Sequence, residues 1–304
     1  MNCTDTVLMV IPKHFSFNPE TEKSNAFQKK IALTQASINR KAQEEFKQVV
    51  NTLQTNSINT LLLDSPIEYT PDAVFPNNWF STHIINDKKF LFVYPMLCEN
   101  RKKEVQLKAL QTLFKNKLKT NYEVIDLRIQ NNISLEGTGV LIFDRNKKIA
   151  FMSISDRTNI ELAKDLTDKL DYELITFESF DKNEKAIYHT NVMMSIGEHL
   201  AFVCLEAIKP IATKKQIEQK LTHLNKTIIE LSIDQIYQMA GNVLELVNNE
   251  DKHFLLLSST ADNSLTSQQK SVIDRFCTRL PCDITTIEAI GGGSIRCMLA
   301  EIFH

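Results

Sequence analysis

The feature that most constrains this chain is a recurring hairpin. Apolar, strand-like runs flank polar turns four times. Trp79–Ile85 and Phe90–Tyr94 flank Asn86–Lys89, and Val140–Phe143 and Ile149–Met152 flank Asp144–Lys148. Val192–Ile196 and Leu200–Leu205 flank Gly197–His199, and Val243–Val247 and Phe254–Leu257 flank Asn248–His253. Polar turns between two alternating apolar runs are hairpin signals. The turns begin at Asn86, Asp144, Gly197 and Asn248, at intervals of 58, 53 and 51 residues. After each hairpin the pattern becomes helical and then gives a short buried strand, such as Glu123–Asp126 or Glu173–Phe177. Four units of hairpin, helix and strand result. A fifth closes if the last strand, Ile295–Ile302, pairs with the first, Thr6–Ile11, which removes two exposed sheet edges.

Helical periodicity supports this α/β reading. Ile38, Ala42, Phe46, Val49, Val50 and Leu53 make one apolar stripe, and Val105, Leu110, Leu113, Phe114 and Leu118 another. Weaker stripes run through Ile160–Leu170, Ile217–Leu224 and Val272–Leu280. No Pro/Gly/Ser-rich linker interrupts residues 1–304, so one domain is expected. Net charge is −2, which gives no field to recruit nucleic acid or an acidic membrane. Met1–Asp5 is polar and the apolar runs are strand-length, so neither a secretion signal nor a spanning helix is expected. The six cysteines (3, 98, 204, 277, 282, 297) form no CxxC pair and no zinc-like spacing with histidine. They read as reduced thiols of a cytoplasmic protein, with no metal expected.

The residues able to do chemistry fall at equivalent places in the units. Asn77-Asn78, Glu136, His189 and Asn242 each lie shortly before a hairpin turn, and Cys297 follows the three glycines Gly291–Gly293 near the terminal strand. Equivalent positions in a closed ring converge, so a thiol, an imidazole, a carboxylate and amides would share one pocket. Only seven glycines occur; besides Gly291–Gly293, Gly137 and Gly139 flank Thr138. Such sparing use points to unusual backbone angles or close approach there.

The stretches PDAVFPNNW (71–79), LEGTGVLIFDR (135–145), SDRTN (155–159), YHTNVMMSIG (188–197) and GGGSIRCMLAEIF (291–303) resemble the pentein, or guanidine-modifying, superfamily. The likeness is nearest to its citrulline utilization hydrolase branch, often labelled amidinotransferase. The resemblance implies a five-bladed α/β propeller and a C–N hydrolase working on a small amino-acid substrate without metal or organic cofactor. It implies Cys297 as nucleophile, His189 as general acid/base and Glu136 as the carboxylate that contacts substrate nitrogen. It places Asp72 at the α-amino group and Arg157 and Arg101 at the α-carboxylate, with Phe75, Asn77, Asn78 and Asn191 also lining the substrate. A homodimer is left open.

Three carboxylates of guanidinium-processing relatives are replaced here, by Asn78, Gly139 and Asn191. A delocalised cation buried without anionic partners is costly. An amide both donates to C=O and accepts from N–H, so the two asparagines favour a neutral ureido group, and citrulline over arginine. Amidino transfer, hydrolysis of arginine or dimethylarginine, and non-catalytic amino-acid binding are the alternatives. The polar stretch Phe15–Asn25 is a candidate lid.

Overall fold

The computed structural model describes residues 2–66, 68–128 and 133–304, so Met1 of the polar N-terminal stretch lies outside the described residues. All four hairpins form, and the second strand of each pairs parallel with the strand that follows the helix. The first sheet joins Phe80–Ile85, Lys88–Val93 and Glu123–Asp126. The second joins Ile142–Asp144, Ile149–Ser153 and Glu173–Ser179, with Ile208–Lys209 added on the outer edge. Met194–Ile196, Leu200–Val203 and Thr227–Glu230 form the third, and Leu244–Val247, His253–Ser258 and Thr278–Cys282 the fourth.

The fifth sheet unites the two ends of the chain. Thr6–Val10 pairs parallel with Asn59–Leu63 and antiparallel with Ala300–Glu301, Val7 opposite Glu301. The long helix Gln35–Thr55 makes the connection between the two parallel strands. Thr34 caps it by accepting from the Ser37 backbone N–H, and all six residues of the expected stripe are buried.

Four expectations are corrected. Val272–Leu280 is not a helix: the helix Ser267–Ile273 ends early, and Thr278–Cys282 is the outer strand of the fourth sheet. Apolar residues at both ends of this stretch satisfy helix and strand periods alike. Ile295–Ile302 is not one strand either, because Ile295–Met298 makes a helical turn and only Ala300–Glu301 pairs. The strands after the helices are only partly buried, at or next to the outer edges of their sheets, with Glu123 and Glu173 exposed. Finally, Val105 precedes its helix, Leu107–Lys117, while the Ile217 stripe belongs to the longer helix Ile211–His223.

The central strands carry the core: Val7–Val10, Leu91–Val93, Ala150–Met152, Leu200–Val203 and Leu255–Leu257 are buried throughout. No described helix is long and apolar enough to cross a membrane. Before three of the hairpins the chain makes a single helical turn, at Pro76–Asn78, Gly137–Val140 and Thr190–Val192, and Ile295–Met298 makes a fourth before the closing strand. These turns pack on one another, which delivers the chemistry-bearing residues to one place.

Candidate active site

Each functional side chain sits at the edge of one of these turns. Glu136 immediately precedes Gly137–Val140, His189 precedes Thr190–Val192, and Cys297 lies within Ile295–Met298. Gly137 has φ +46°, and a Cβ there would lie 2.6 Å from the Asn77 carbonyl oxygen. The first two turns therefore touch backbone to backbone, which only glycine permits. A Cβ on Gly139 would stand 2.2 Å from Asn78 Nδ2 and 3.0 Å from His189 Nδ1. Position 139 thus has no room for the carboxylate of the relatives; its space is filled by the Asn78 amide.

His189 and Glu136 form the polar centre. His189 Nε2 lies 2.6 Å from Glu136 Oε2, and Arg157 Nη1 donates to both oxygens of Glu136 at 2.9 and 2.8 Å. The Leu97 backbone N–H adds a fourth contact at 3.0 Å. Burial opposes ionisation of Glu136, but Arg157, the His189 hydrogen bond and Arg101 together hold its carboxyl well below the usual range. Burial pushes His189 down to about 4 against the pull of Glu136, with Arg157 and Arg101 reinforcing burial. The pair is therefore a neutral imidazole on an ionised carboxylate. Nε2–H donates to Glu136, leaving the lone pair on Nδ1.

Cys297 is buried and its Sγ accepts from two amides, Asn242 Nδ2 at 3.2 Å and Asn191 Nδ2 at 3.4 Å. Arg101 donates through Nε and Nη2 to the two oxygens of Glu104 at 3.0 and 2.9 Å, through Nη1 to Asn78 Oδ1 at 2.9 Å and through Nη2 to the Phe75 carbonyl at 3.2 Å. Asp72 accepts from Asn18 Nδ2 at 2.6 Å, and burial, against Arg101 and that hydrogen bond, raises its carboxyl. Phe75 packs its ring where Cβ atoms on Gly291 and Gly293 would otherwise sit, at 2.7 and 3.0 Å.

Asp72, Phe75, Asn78, Arg101, Arg157, His189 and Cys297 therefore line one cavity, joined by Tyr188, Thr21 and Asn25. Its free volume is about 20 Å³, room for roughly one water. The stretch Phe15–Asn25 closes it: Asn18 and Thr21 reach Asp72, Ser24 Oγ accepts from Arg157 Nη2 at 2.7 Å, and Asn25 donates to the Gly291 carbonyl. A wider groove of about 490 Å³, lined by Phe27, Lys29, Tyr237 and Glu288 among others, lies beyond this stretch and has no thiol or imidazole in its lining.

Sequence reasoning placed Asn18 and Ser24 only as unnamed members of the candidate lid Phe15–Asn25, missed Glu104, and gave Asn242 a place but no role. The partners of Asn18 and Ser24 lie far along the chain, and the short polar stretch that holds Glu104 looks like a solvated loop. It also missed Cys3, Glu245 and His253, whose donor atoms lie within 4.8 Å of one another and could in principle ligate a metal. Here His253 Nδ1 and Glu245 Oε1 are hydrogen-bonded at 2.7 Å. All six cysteines are free.

A closed α/β arrangement that gathers a thiol, an imidazole on a carboxylate and two arginines defines a pentein hydrolase of C–N bonds. The family model described as N,N dimethylarginine dimethylhydrolase, eukaryotic, matches residues 11–304, and the chain belongs to that family. No curated protein sequence matches it. Among solved structures it is similar to the N-terminal domain of ArgZ, a cyanobacterial arginine dihydrolase solved as a mutant with substrate (TM-score 0.73, 15% identity, 98% of each chain covered). It is also similar to a mutant of AgrE with L-arginine (TM-score 0.74, 16% identity), covering 98% of this chain and 40% of that one. A third likeness is to the Pseudomonas aeruginosa DDAH mutant with citrulline (TM-score 0.65, 14% identity, 99% and 100% covered). At these identities the structural likeness carries the fold.

Proposed function

We propose that the protein hydrolyses citrulline to ornithine, ammonia and carbon dioxide through a covalent intermediate on Cys297. The whole chain acts as one catalytic domain, its five sheets standing as propeller blades around the cavity. The observation that carries this reading is a pair of amide atoms without partners. Asn78 Oδ1 is held by Arg101 while Nδ2 is unpartnered; Asn191 Nδ2 is held by Cys297 Sγ while Oδ1 is unpartnered. One free donor and one free acceptor complement a ureido group, whose C=O accepts and whose NH2 donates. A guanidinium offers donors alone and would leave Asn78 Nδ2 opposed by like groups.

The steps follow from the protonation states. His189 Nδ1 takes the Cys297 proton as the thiolate attacks the ureido carbon. The bond from that carbon to the ornithine nitrogen breaks, and His189 protonates the departing amine. A carbamoyl group remains on sulfur. Water, losing a proton to His189, then cleaves the S–C bond; the thiol is restored and carbamic acid decomposes to ammonia and carbon dioxide. Glu136 holds the imidazole in the required tautomer. Asp72 Oδ1, also unpartnered, is assigned to the α-ammonium. Arg157 is assigned to the α-carboxylate. Arg101 spends its donors on Glu104, Asn78 and Phe75, so we assign it to fixing the Asn78 amide.

Asn78→Asp tests this reading. Citrulline kcat/KM should fall about a hundredfold, the cost of losing one buried donor to developing charge, while arginine binding improves. If neither substrate's constants moved, the ureido reading would be wrong. A second reading, hydrolysis of arginine or its methylated forms, is favoured by the family's description and by the relatives solved with L-arginine. Citrulline released from those substrates would establish it.

A further inference from the structure

The mechanism needs a thiolate, and in the resting site no cation is free to favour one before His189 takes the proton. His189 is neutral, with Nε2 spent on Glu136. Arg157 is engaged by Glu136 and Ser24, and Arg101 by Glu104 and Asn78. A ureido substrate brings no charge of its own. The polar groups that reach the sulfur are two neutral amides.

We propose that Asn242 is a catalytic residue: its Nδ2, together with that of Asn191, forms a two-donor cradle that stabilises the Cys297 thiolate. The cradle is built rather than incidental. Asn242 is held at both ends of its amide, since Oδ1 accepts from the Cys297 backbone N–H at 3.4 Å and Nδ2 also donates to the Asn191 carbonyl at 3.0 Å. That pattern fixes the amide with its NH2 toward sulfur, 3.2 Å away. Asn242, Asn191 and Cys297 are all buried, which shields the sulfur from bulk water.

The backbone enforces the geometry. A Cβ on Gly241 would lie 2.3 Å from the Val192 carbonyl oxygen, so glycine lets the chain before Asn242 press against the turn that carries Asn191. Asn242 is also the fourth unit's member of the series that supplies Asn78, Glu136 and His189. Hydrogen bonds to an ionised acceptor are stronger than those to a neutral one, so both amides favour thiolate over thiol. The inference rests on Cys297 as nucleophile and not on citrulline as substrate.

The test reads the sulfur without any substrate. Alkylation of Cys297 by iodoacetamide is followed by peptide mapping on the full chain, with Cys98, which is half-buried, as the internal control. At neutral pH, Asn242→Ala should slow Cys297 alkylation about tenfold, the order expected for losing one hydrogen bond to a charged acceptor. Asn242→Ser, which retains a donor, should recover part of the rate. Both deficits should close as pH rises, because hydroxide then supplies thiolate without the cradle. The titratable and charged groups that line the cavity with Cys297, namely His189, Tyr188, Asp72, Arg101 and Arg157, are the same in every variant. Unchanged alkylation, or a deficit equal at all pH values and in both variants, would overturn the proposal. Loss of citrulline turnover with normal alkylation would count against it as well, whereas normal cradle behaviour without citrulline turnover would indict only the substrate.

Discussion

The cavity and the region around the turn at Gly197 are both buried and polar, and they treat their polar atoms in contrasting ways. Around Gly197, Lys226 Nζ lies 3.0 Å from Asp144 Oδ2 and donates to the Gly197 and Glu198 carbonyls at 2.9 and 2.8 Å. Asn2 donates to Gly197, and Glu245 accepts from the Glu198 backbone. In the cavity lining, Asp72 Oδ1, Asn78 Nδ2 and Arg157 Nε are buried without partners, and so are Asn191 Oδ1, on the side chain that contacts Cys297, and both amide atoms of Asn77, next to Asn78. Among the described residues the one other atom of this kind is Asp144 Oδ2, which faces the Lys226 ammonium. A fold that satisfies its polar groups in one buried region and leaves them open in another holds the second for a ligand.

The sharpest way to break this contrast is to mutate each region and read both stability and activity. Asn191→Leu should lower citrulline kcat/KM by about a hundredfold or more. Its urea midpoint should hold or rise, because an unpaired polar atom is removed. Asp144→Asn should do the reverse. Breaking a buried ion pair costs about 3 kcal/mol, and turnover by the folded fraction should persist. If Asn191→Leu destabilised the fold while Asp144→Asn abolished chemistry, the two regions would have been assigned the wrong way round.

A smaller effect is expected in pH dependence. In the proposed mechanism His189 acts from its neutral form, and burial holds its value down at about 4, so the acid limb of kcat/KM should fall near pH 4 rather than 6.5. Stability should decline over the same range. The unfolded chain binds a proton on this histidine below its ordinary value near 6.5, and the folded chain resists doing so until about 4. Glu136, depressed in the fold, adds to the loss below the ordinary carboxylate value. Urea midpoints at pH 7 and 5 measure the His189 part, and an equal midpoint at both would contradict the His189 environment. An acid limb at 6.5 would show an imidazole free of the burial described.

The smallest effect is local. A cavity of about 20 Å³ admits no amino acid, so Phe15–Asn25 must lift for substrate to enter. Limited proteolysis within this stretch should be suppressed by citrulline with Cys297→Ser protein. Cutting that ignores substrate would show that entry lies elsewhere.

Much of this was legible before any coordinates. The four hairpins are strongly punctuated, by Asn86-Asp87, Gly197 and similar turns, and punctuation is local information. The helix Ile160–Leu170 is capped by Asn159 and ended by Asp171 at φ 58°, so its limits could be read directly. Where local signals conflict, the reading failed. Val272–Leu280 has apolar spacing that serves a helix and a strand alike, and sheet pairing with His253–Ser258 decided the matter. Ile295–Met298 reads as strand because it runs unbroken into the apolar Leu299–Ala300, yet contact with the other turns accompanies a helical turn there. The convergence was visible for Glu136 and His189 as equal spacing from the turns, and for Cys297 as its place after Gly291–Gly293 at the entry to the closing strand. The partners that set their chemistry were not. Glu104, which holds Arg101, belongs to a stretch whose polarity reads as solvent exposure, and Asn18 and Ser24 lie unnamed within the candidate lid Phe15–Asn25 until their contacts with Asp72 and Arg157 are seen.

The most direct test is product analysis. The protein is incubated separately with L-citrulline, L-arginine, dimethylarginine and agmatine, with Cys297→Ser as control, and ornithine, citrulline, putrescine and ammonia are measured. Ornithine and ammonia should appear from citrulline and vanish in the variant. Citrulline formed from arginine or dimethylarginine, with citrulline itself inert, would contradict the ureido assignment of Asn78 and Asn191.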